Sequence, residues 1–251
     1  MIRALLLLLA LALPAAAQET IVSGLSQNRV SITADFDGSE ILIYGAVKRD
    51  SPAPEGRMDV IVTVEGPPTP VTVRRKDRVA GIWINDAAVR VDSAPTFYAV
   101  ATTGRLHDVL GATENIRHNI TIDRLIRAIG ISAEADGSDE FLRALVRVRR
   151  AEGSYPLLEN RVQLTEGTLF RTDVALPANL TEGTYKVRMF VLRDGRVVAT
   201  QERFIGVRKA GLERLIFNMS REQPLLYGLF ALALAAVAGW AASAAFRFVR
   251  S

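Results

Sequence analysis

Alternating apolar and polar positions run through residues 18–103, and Gly, Pro and Asp separate the alternating segments. A period of two with many β-branched residues predicts β-strands that bury one face. The Asp37-Gly38 pair between residues 29–33 and 40–47 predicts a hairpin. Further short strands are predicted at 58–65, 71–75, 81–85, 89–91 and 96–101.

The apolar period changes to that of a helix between residues 104 and 153. One helix is predicted from a Thr121 cap to Gly130, and a second from a Ser138 cap to Gly153. Their predicted buried residues recur three and four positions apart: Ile122, Leu125, Ile126 and Ile129 in the first, and Phe141, Leu142, Leu145 and Val146 in the second. Strand periodicity then returns at 161–165, 168–176, 184–193 and 196–207, and Asp194-Gly195 forms the turn of the last predicted hairpin.

These patterns predict a mainly β fold, in which antiparallel, immunoglobulin-like β-sandwich modules carry a helical insertion. The predicted boundaries are a β-sandwich module at 18–103, a helical segment at 104–153 and a second β module at 154–207. The pattern leaves open whether the two β modules form one sandwich or two. No internal repeat or low-complexity linker separates them.

Both ends of the chain are free of charge over long apolar runs. Residues 1–17 combine Arg3, a ten-residue apolar stretch, Pro14 and three alanines, which is the pattern of a secretory signal peptide cleaved before Gln18. Residues 224–246 are uncharged and long enough, as a helix, to cross a 30 Å hydrocarbon core. They predict one C-terminal transmembrane helix, preceded by a juxtamembrane helix at 208–223 and followed by a cytoplasmic tail at 247–251.

The signal peptide fixes the predicted topology, because basic residues lie on both sides of the span. We expect a single-pass protein of the bacterial inner membrane, with the N-terminal domain in the periplasm and the C-terminal tail in the cytoplasm. Within the span, Ala231, Ala235 and Gly239 are spaced four apart, a pattern that permits close helix pairing. A plain lipid anchor and self-association through these small residues both remain open.

Composition excludes several functional classes. Of the 31 basic residues, Arg3, Arg247 and Arg250 lie in the terminal segments, so residues 18–223 hold 28 basic and all 27 acidic side chains. This near-neutral balance argues against nucleic-acid binding. The chain has no Cys, which excludes disulfides, thiolate catalysis and Cys-based zinc sites.

The sequence contains no recognisable catalytic, cofactor-binding or metal-binding residue. His107 and His118 are only two imidazoles without nearby Cys, and the acidic run at 35–40 lacks EF-hand spacing and reads better as a turn. No nucleophile elbow or glycine-rich phosphate loop is present. We therefore expect a non-enzymatic protein without a cofactor.

Two basic clusters are the remaining candidates for binding. One spans Arg74-Arg75-Lys76-Asp77-Arg78, and the other places Arg143, Arg147 and Arg150 along one face of the second predicted helix. Either cluster can meet anionic headgroups or an acidic partner. Each can equally be a solvated face that nearby carboxylates balance.

The chain resembles an alphaproteobacterial family of exported, single-span transmembrane proteins whose function is uncharacterised. The resemblance rests on several strings along the mature chain: residues 30–32 with Phe36 and Gly38, then 43–46, 74–76, 80–85, 141–145, 169–171, 176–178, 183–185, 224–228 and 239–240. It supplies no activity, and it implies a membrane partner of the sulfite-exporter-type permease class.

Two functions follow as hypotheses. The first is a membrane-anchored periplasmic accessory or interaction protein, without enzymatic activity, that serves an inner-membrane partner such as a transporter. The alternative is a periplasmic module that binds a small ligand or an envelope polymer. A stoichiometric membrane companion would favour the first, and thermal stabilisation by a small molecule would favour the second.

Overall fold

The computed structural model describes residues 19–33, 36–50, 52, 56–79, 81–129, 138–209 and 219–249. The predicted signal peptide at 1–17 and most of the predicted juxtamembrane helix at 208–223 lie outside these ranges. The described residues confirm a mainly β fold with several sheets and helices inserted between strands.

The first sheet contains four antiparallel strands. Its order is β1 (Glu19–Leu25), β3 (Ser39–Arg49), β10 (Leu169–Leu176) and β9 (Gln163–Thr165). Alternate side chains of β3 and β10 are buried, so one face of the sheet belongs to the core and the other meets solvent.

The second sheet contains six strands. Its order is β2 (Arg29–Ile32), β12 (Arg196–Lys209), β11 (Gly183–Arg193), β4 (Met58–Glu65), β7 (Tyr98–Thr102) and β8 (Leu157–Leu158). Only the β7–β8 pair among the described pairings is parallel. The positive φ angles of Asp194 and Gly195 confirm the predicted tight turn between β11 and β12.

The predicted hairpin between residues 29–33 and 40–47 is wrong. The strand β2 belongs to the second sheet, whereas β3 pairs with β1 and β10 in the first. These two antiparallel neighbours extend along most of β3 and bury Ile41, Ile43 and Val47, which outweighs the local turn signal. Gly38 adopts φ +124°, and it lies in the segment where the chain passes from the second sheet to the first.

Strands from the two predicted β modules share both sheets. In the first sheet β3 pairs with β10, and in the second β4 pairs with β11. The described strands thus interleave residues before and after the helical segment, so the two predicted β modules share their sheets and do not form separate ones. The sandwich architecture and its immunoglobulin-like detail stay predictions.

The described residues between β7 and β8 form four helices. They are α1 (Leu106–Val109), α2 (Ala112–His118), α3 (Ile122–Ile129) and α4 (Ser138–Ala151). Leu125, Ile126, Leu142 and Leu145 are buried in one cluster with side chains of that sheet. Both predicted helices are confirmed. Burial of their apolar stripes is the main force that holds them on the sheet, while the side chain of Ile129 lies outside the described part of the structure.

The connection between α2 and α3 is held on the second sheet by Arg188. Its Nη1 donates to the carbonyl of His118 at 2.7 Å, and its Nη2 donates to the carbonyl of Asn119 and to the hydroxyl of Tyr98, both at 3.2 Å. The Tyr98 hydroxyl in turn donates to the carbonyl of Ile120 at 2.7 Å. Burial raises the pKa of Tyr98 to about 12, so this hydroxyl stays protonated as a donor.

A buried ion triad joins the two sheets. Oε1 of Glu19 on β1 accepts from Nε of Arg49 on β3 at 2.6 Å and from Nη2 of Arg193 on β11 at 2.8 Å. Burial alone would raise the pKa of Glu19, but the hydrogen bonds and charges of Arg193 and Arg49 outweigh it and lower that pKa. The triad is therefore fully charged at neutral pH.

The helix α5 (Pro224–Val249) belongs to a second compact unit, which comprises Ser31–Phe36 and Arg208–Ser251. Its Pro224–Ser243 portion is long and apolar enough to cross a membrane, and none of it is buried. Pro224 starts the helix, a position where its missing N–H costs nothing. Exposure of this long uncharged portion agrees with the predicted span at 224–246.

A basic groove beside an exposed hairpin

A long two-stranded hairpin stands apart from both large sheets. It consists of β5 (Pro68–Val79) and β6 (Ile82–Pro95). At its base Val91 and Ala94 are buried in the core cluster. At its far end Ile82, Trp83 and Ile84 are 68%, 66% and 43% exposed, and we call these three residues the hairpin tip. The hairpin is therefore rooted in the core and free at its end.

Two irregularities in pairing shape this hairpin. The register shifts between Thr69 and Val71, and again between Arg75 and Lys76. At the second shift, Asp86 has no residue opposite it in the register of β5. Register shifts of this kind increase the local twist of a strand pair and redirect its side chains. The second shift falls within the first basic cluster.

A groove of about 410 Å³ runs between β5 and α4. Its lining comes from one strand segment and one helix face: Val73, Arg74, Arg75, Lys76, Glu140, Phe141, Arg143, Ala144 and Arg147. The structure therefore brings the two basic clusters together, although they are almost 70 residues apart in the sequence. We call this feature the basic groove.

The helix side of the groove follows from the amphipathic pattern of α4. Phe141, Leu142, Leu145 and Val146 are buried, which fixes the rotation of the helix. Arg143 and Arg147, four positions apart, must then share the exposed face.

The strand side is held by packing and by one tyrosine. Val71 and Val73 are partly buried against the core cluster that contains Leu142 and Leu145. After α4 ends at Ala151, the chain turns at Gly153, whose φ is +74°, and the hydroxyl of Tyr155 donates to the carbonyl of Pro95 at 2.6 Å. This bond ties the base of the hairpin to the chain that leaves α4.

The groove carries a strong excess of positive charge. Five of its lining side chains are cationic and only Glu140 is acidic. Arg75 lies 3.4 Å from Asp86 and 3.8 Å from Glu140, measured between nitrogen and oxygen atoms, and these are long, exposed ion pairs of small energy. Among the described residues, no carboxylate lies within ion-pair distance of the other four cations: Arg74, Lys76, Arg143 and Arg147.

The groove contains only part of each of the two predicted basic clusters. Asp77 and Arg78 lie further out on β5, where Arg78 pairs with Trp83 across the hairpin. Arg150 is exposed on α4 and does not line the groove.

Sequence reasoning missed the hairpin tip, because residues 81–85 and 89–91 were predicted as two short strands whereas β6 is continuous. The apolar run from Ile82 to Ile84 between a glycine and an asparagine was the available signal.

The two histidines occupy separate surroundings. His107 is exposed beside Asp108, while the ring of His118 packs edge-on against Phe190 and lies 3.4 Å from Glu114. In the part of the chain that the structure describes, no group of three or more His, Cys, Asp and Glu side chains is arranged to hold a metal ion. The expectation of a protein without a metal or cofactor stays a prediction.

A second depression, of about 650 Å³, lies on the outer face of the first sheet. Val22, Tyr44 and Leu169 contribute exposed apolar surface to it, and its one cation, Arg171, donates to the side-chain oxygen of Gln163 at 2.8 Å. It is therefore mainly apolar, in contrast to the basic groove.

On α5, the residues predicted for self-association are all exposed in the single chain: Ala231, Ala235 and Gly239. A Cβ atom added at Gly239 would meet no atom within 4 Å. This face is open to a second helix, and pairing through it stays a prediction.

Comparison with known proteins identifies the family of the chain and includes a remote similarity to a solved structure. No curated protein matches the chain. A solved structure described as "Crystal structure of BslA - A bacterial hydrophobin" shares 12% sequence identity over 78% of this chain and 98% of that chain, with a TM-score of 0.20, which is too low to support any argument. The family model described as "Putative transmembrane protein" (Alph_Pro_TM) matches residues 20–248, and the chain therefore belongs to that family.

Proposed function

We propose that this protein is a membrane-anchored periplasmic accessory protein, without enzymatic activity, that binds an inner-membrane protein through its hairpin tip. Family membership and the exposed apolar helix α5 support attachment to a membrane. The pattern at 1–17 supports export of the domain that follows it, and α5 then leaves residues 247–251 in the cytoplasm.

The exposure of the hairpin tip is the observation that carries this proposal. Three large apolar residues at the end of a hairpin contribute nothing to the core, and their exposure is costly in water. Tryptophan is strongly enriched among the residues that dominate protein–protein binding energies. Arg78 faces Trp83 across the hairpin and supplies a polar rim beside it.

The proposed partner is a transporter of the same membrane, and a sulfite-exporter-type permease is the first candidate. An anchor in the same bilayer confines both proteins to two dimensions and raises their effective concentration, so a small contact such as the hairpin tip suffices. A self-associating α5 would add avidity to the same contact.

Affinity purification of the tagged full-length chain from native membranes, followed by mass spectrometry, tests the proposal. We expect a membrane protein at stoichiometric yield with the wild type and its loss from the double variant Ile82→Ser, Trp83→Ser. Val198→Ser is the matched control, since Val198 is 44% exposed on β12, outside the hairpin. Absence of a stoichiometric companion, or its retention by the tip variant, would contradict the proposal.

A second candidate function, binding of a small ligand or an envelope polymer, is favoured by the basic groove. Its two walls belong to different elements that the core holds at a fixed spacing, as a preformed binding site requires. Ligand binding there is compatible with a partner at the hairpin tip, because the tip residues do not line the groove.

A further inference from the structure

We propose that the basic groove binds a phosphate-bearing group, with Arg74, Arg75 and Lys76 on β5 and Arg143 and Arg147 on α4 as its ligands. This inference rests on the second candidate function and deepens it by assigning the ligand class of the groove; it does not need the protein partner of the proposed accessory role.

The first argument is electrostatic. Four of the five cations in the groove have no ion-pair partner among the described residues, and Arg75 has only distant ones. Like charges held together on two packed elements repel each other, and a solvated face would relieve this by alternating the sign of its residues. An anion bound between the walls removes the repulsion and gains charge-assisted hydrogen bonds.

The second argument concerns the type of anion. Guanidinium groups donate in a planar fork that matches phosphate oxygens, and four of the five cations are arginines. A phosphate offers up to three acceptor oxygens in different directions, so it can reach both walls of the groove at once. A carboxylate offers two oxygens in one plane and satisfies one wall.

The third argument concerns size and surroundings. A volume of about 410 Å³ lies within the range of small-molecule sites and fits a group of the size of a glycerophosphate or a diphosphate. Val73, Phe141 and Ala144 give the groove an apolar floor, which accommodates the carbon part of a phosphate ester. A lipid headgroup and a soluble phosphate ester both present this chemistry.

The experiment titrates the full-length protein, in an uncharged detergent, with three probes and follows binding by native mass spectrometry and by the shift in melting temperature. The probes are inorganic pyrophosphate, glycerol 3-phosphate and dihexanoyl phosphatidylglycerol. Dihexanoyl phosphatidylcholine, which carries no net charge, is the reference lipid. The groove variant is Arg143→Gln, Arg147→Gln. The control is Arg124→Gln, Arg150→Gln, which removes the same charge from exposed helix positions outside the groove.

We expect the wild type and the control to bind at least one phosphate probe, and the groove variant to bind it about tenfold more weakly or not at all. Binding of pyrophosphate and glycerol 3-phosphate identifies a soluble phosphate as sufficient, whereas binding of phosphatidylglycerol alone identifies a lipid headgroup. Near-UV circular dichroism of the buried tyrosines verifies that each variant is folded.

Three results would overturn the inference: no binding of any phosphate probe by the wild type, undiminished binding by a folded groove variant, or equal loss in the groove variant and the control. None of these results bears on the membrane companion expected at the hairpin tip, so the two proposals fail separately.

Discussion

Replacing Glu19 by glutamine tests whether the buried ion triad holds the two sheets together. The substitution keeps the size of the side chain and removes its charge, so Arg49 and Arg193 lose the anion between them. Their side chains are only 14% and 13% exposed, and that of Glu19 is 2% exposed. Removing one partner of a buried pair leaves an uncompensated charge and costs about 3–5 kcal/mol.

We take the lower end of that range, because both arginines retain a path to water. A loss of about 3 kcal/mol corresponds to a decrease in melting temperature of roughly 6–12 °C for a domain of this size. Unfolding of the full-length protein in detergent, followed by near-UV circular dichroism, measures it. Glu202→Gln on the exposed surface of β12 is the control and should change stability by less than about 0.5 kcal/mol.

The pH dependence gives this prediction a second signature. The folded pKa of Glu19 is lowered, so its stabilising contribution is present above the unfolded pKa of about 4.3 and is lost as the pH falls through the folded value. The difference between wild type and Glu19→Gln should therefore shrink below about pH 4. A loss under about 1 kcal/mol at pH 7, or a difference that is independent of pH, would refute a buried triad.

Three further predictions address the groove wall, the exported domain and the anchor. Tyr155→Phe leaves the buried carbonyl of Pro95 without its donor and should lower the free energy of unfolding by about 1–2 kcal/mol in urea titrations; an unchanged midpoint would contradict the role given to this bond. Residues 18–207 without the anchor should fold as a soluble domain in the presence of a chelator and a reductant, and an insoluble or chelator-sensitive product would argue against it. Ala235→Arg places a charge at the centre of the span at a cost of about 2.5–3.5 kcal/mol, so fractionation should show partial release from the membrane, and complete retention would contradict a minimal anchor.

The sequence was sufficient to predict an element of the fold where its local pattern and its tertiary packing agree. The helices α3 and α4 follow from apolar residues three and four positions apart, and the turn at Asp194-Gly195 follows from the backbone freedom of that pair. The strand β4 was predicted with its observed limits, Met58–Glu65, because a glycine and two prolines end it.

Prediction failed where pairing over long sequence distances decided the result. The Asp37-Gly38 pair favours a local turn, but β3 gains more stability from pairing with β1 and β10 than from a local hairpin with β2. The continuity of β6 was hidden because Asp86 interrupts the register without ending the strand.

The candidate site was also only partly predictable from the sequence. Each basic cluster was visible in the sequence, and the exposed face of α4 followed from its apolar stripe. The sequence contained no signal that places Arg143 and Arg147 opposite Arg74 and Lys76, because that proximity depends on how α4 and the hairpin pack against the second sheet.

The absence of cysteine from the chain permits the most direct test of the central claim, that a periplasmic domain is held by one C-terminal span. Single cysteines are introduced as Glu202→Cys, on the exposed surface of β12, and as Ser251→Cys, at the end of the tail. Intact spheroplasts are then treated with a membrane-impermeant maleimide, with the wild type as the unlabelled control. We predict labelling at position 202 in intact spheroplasts and at position 251 only after lysis. Protection of position 202, or labelling of position 251 before lysis, would contradict the account.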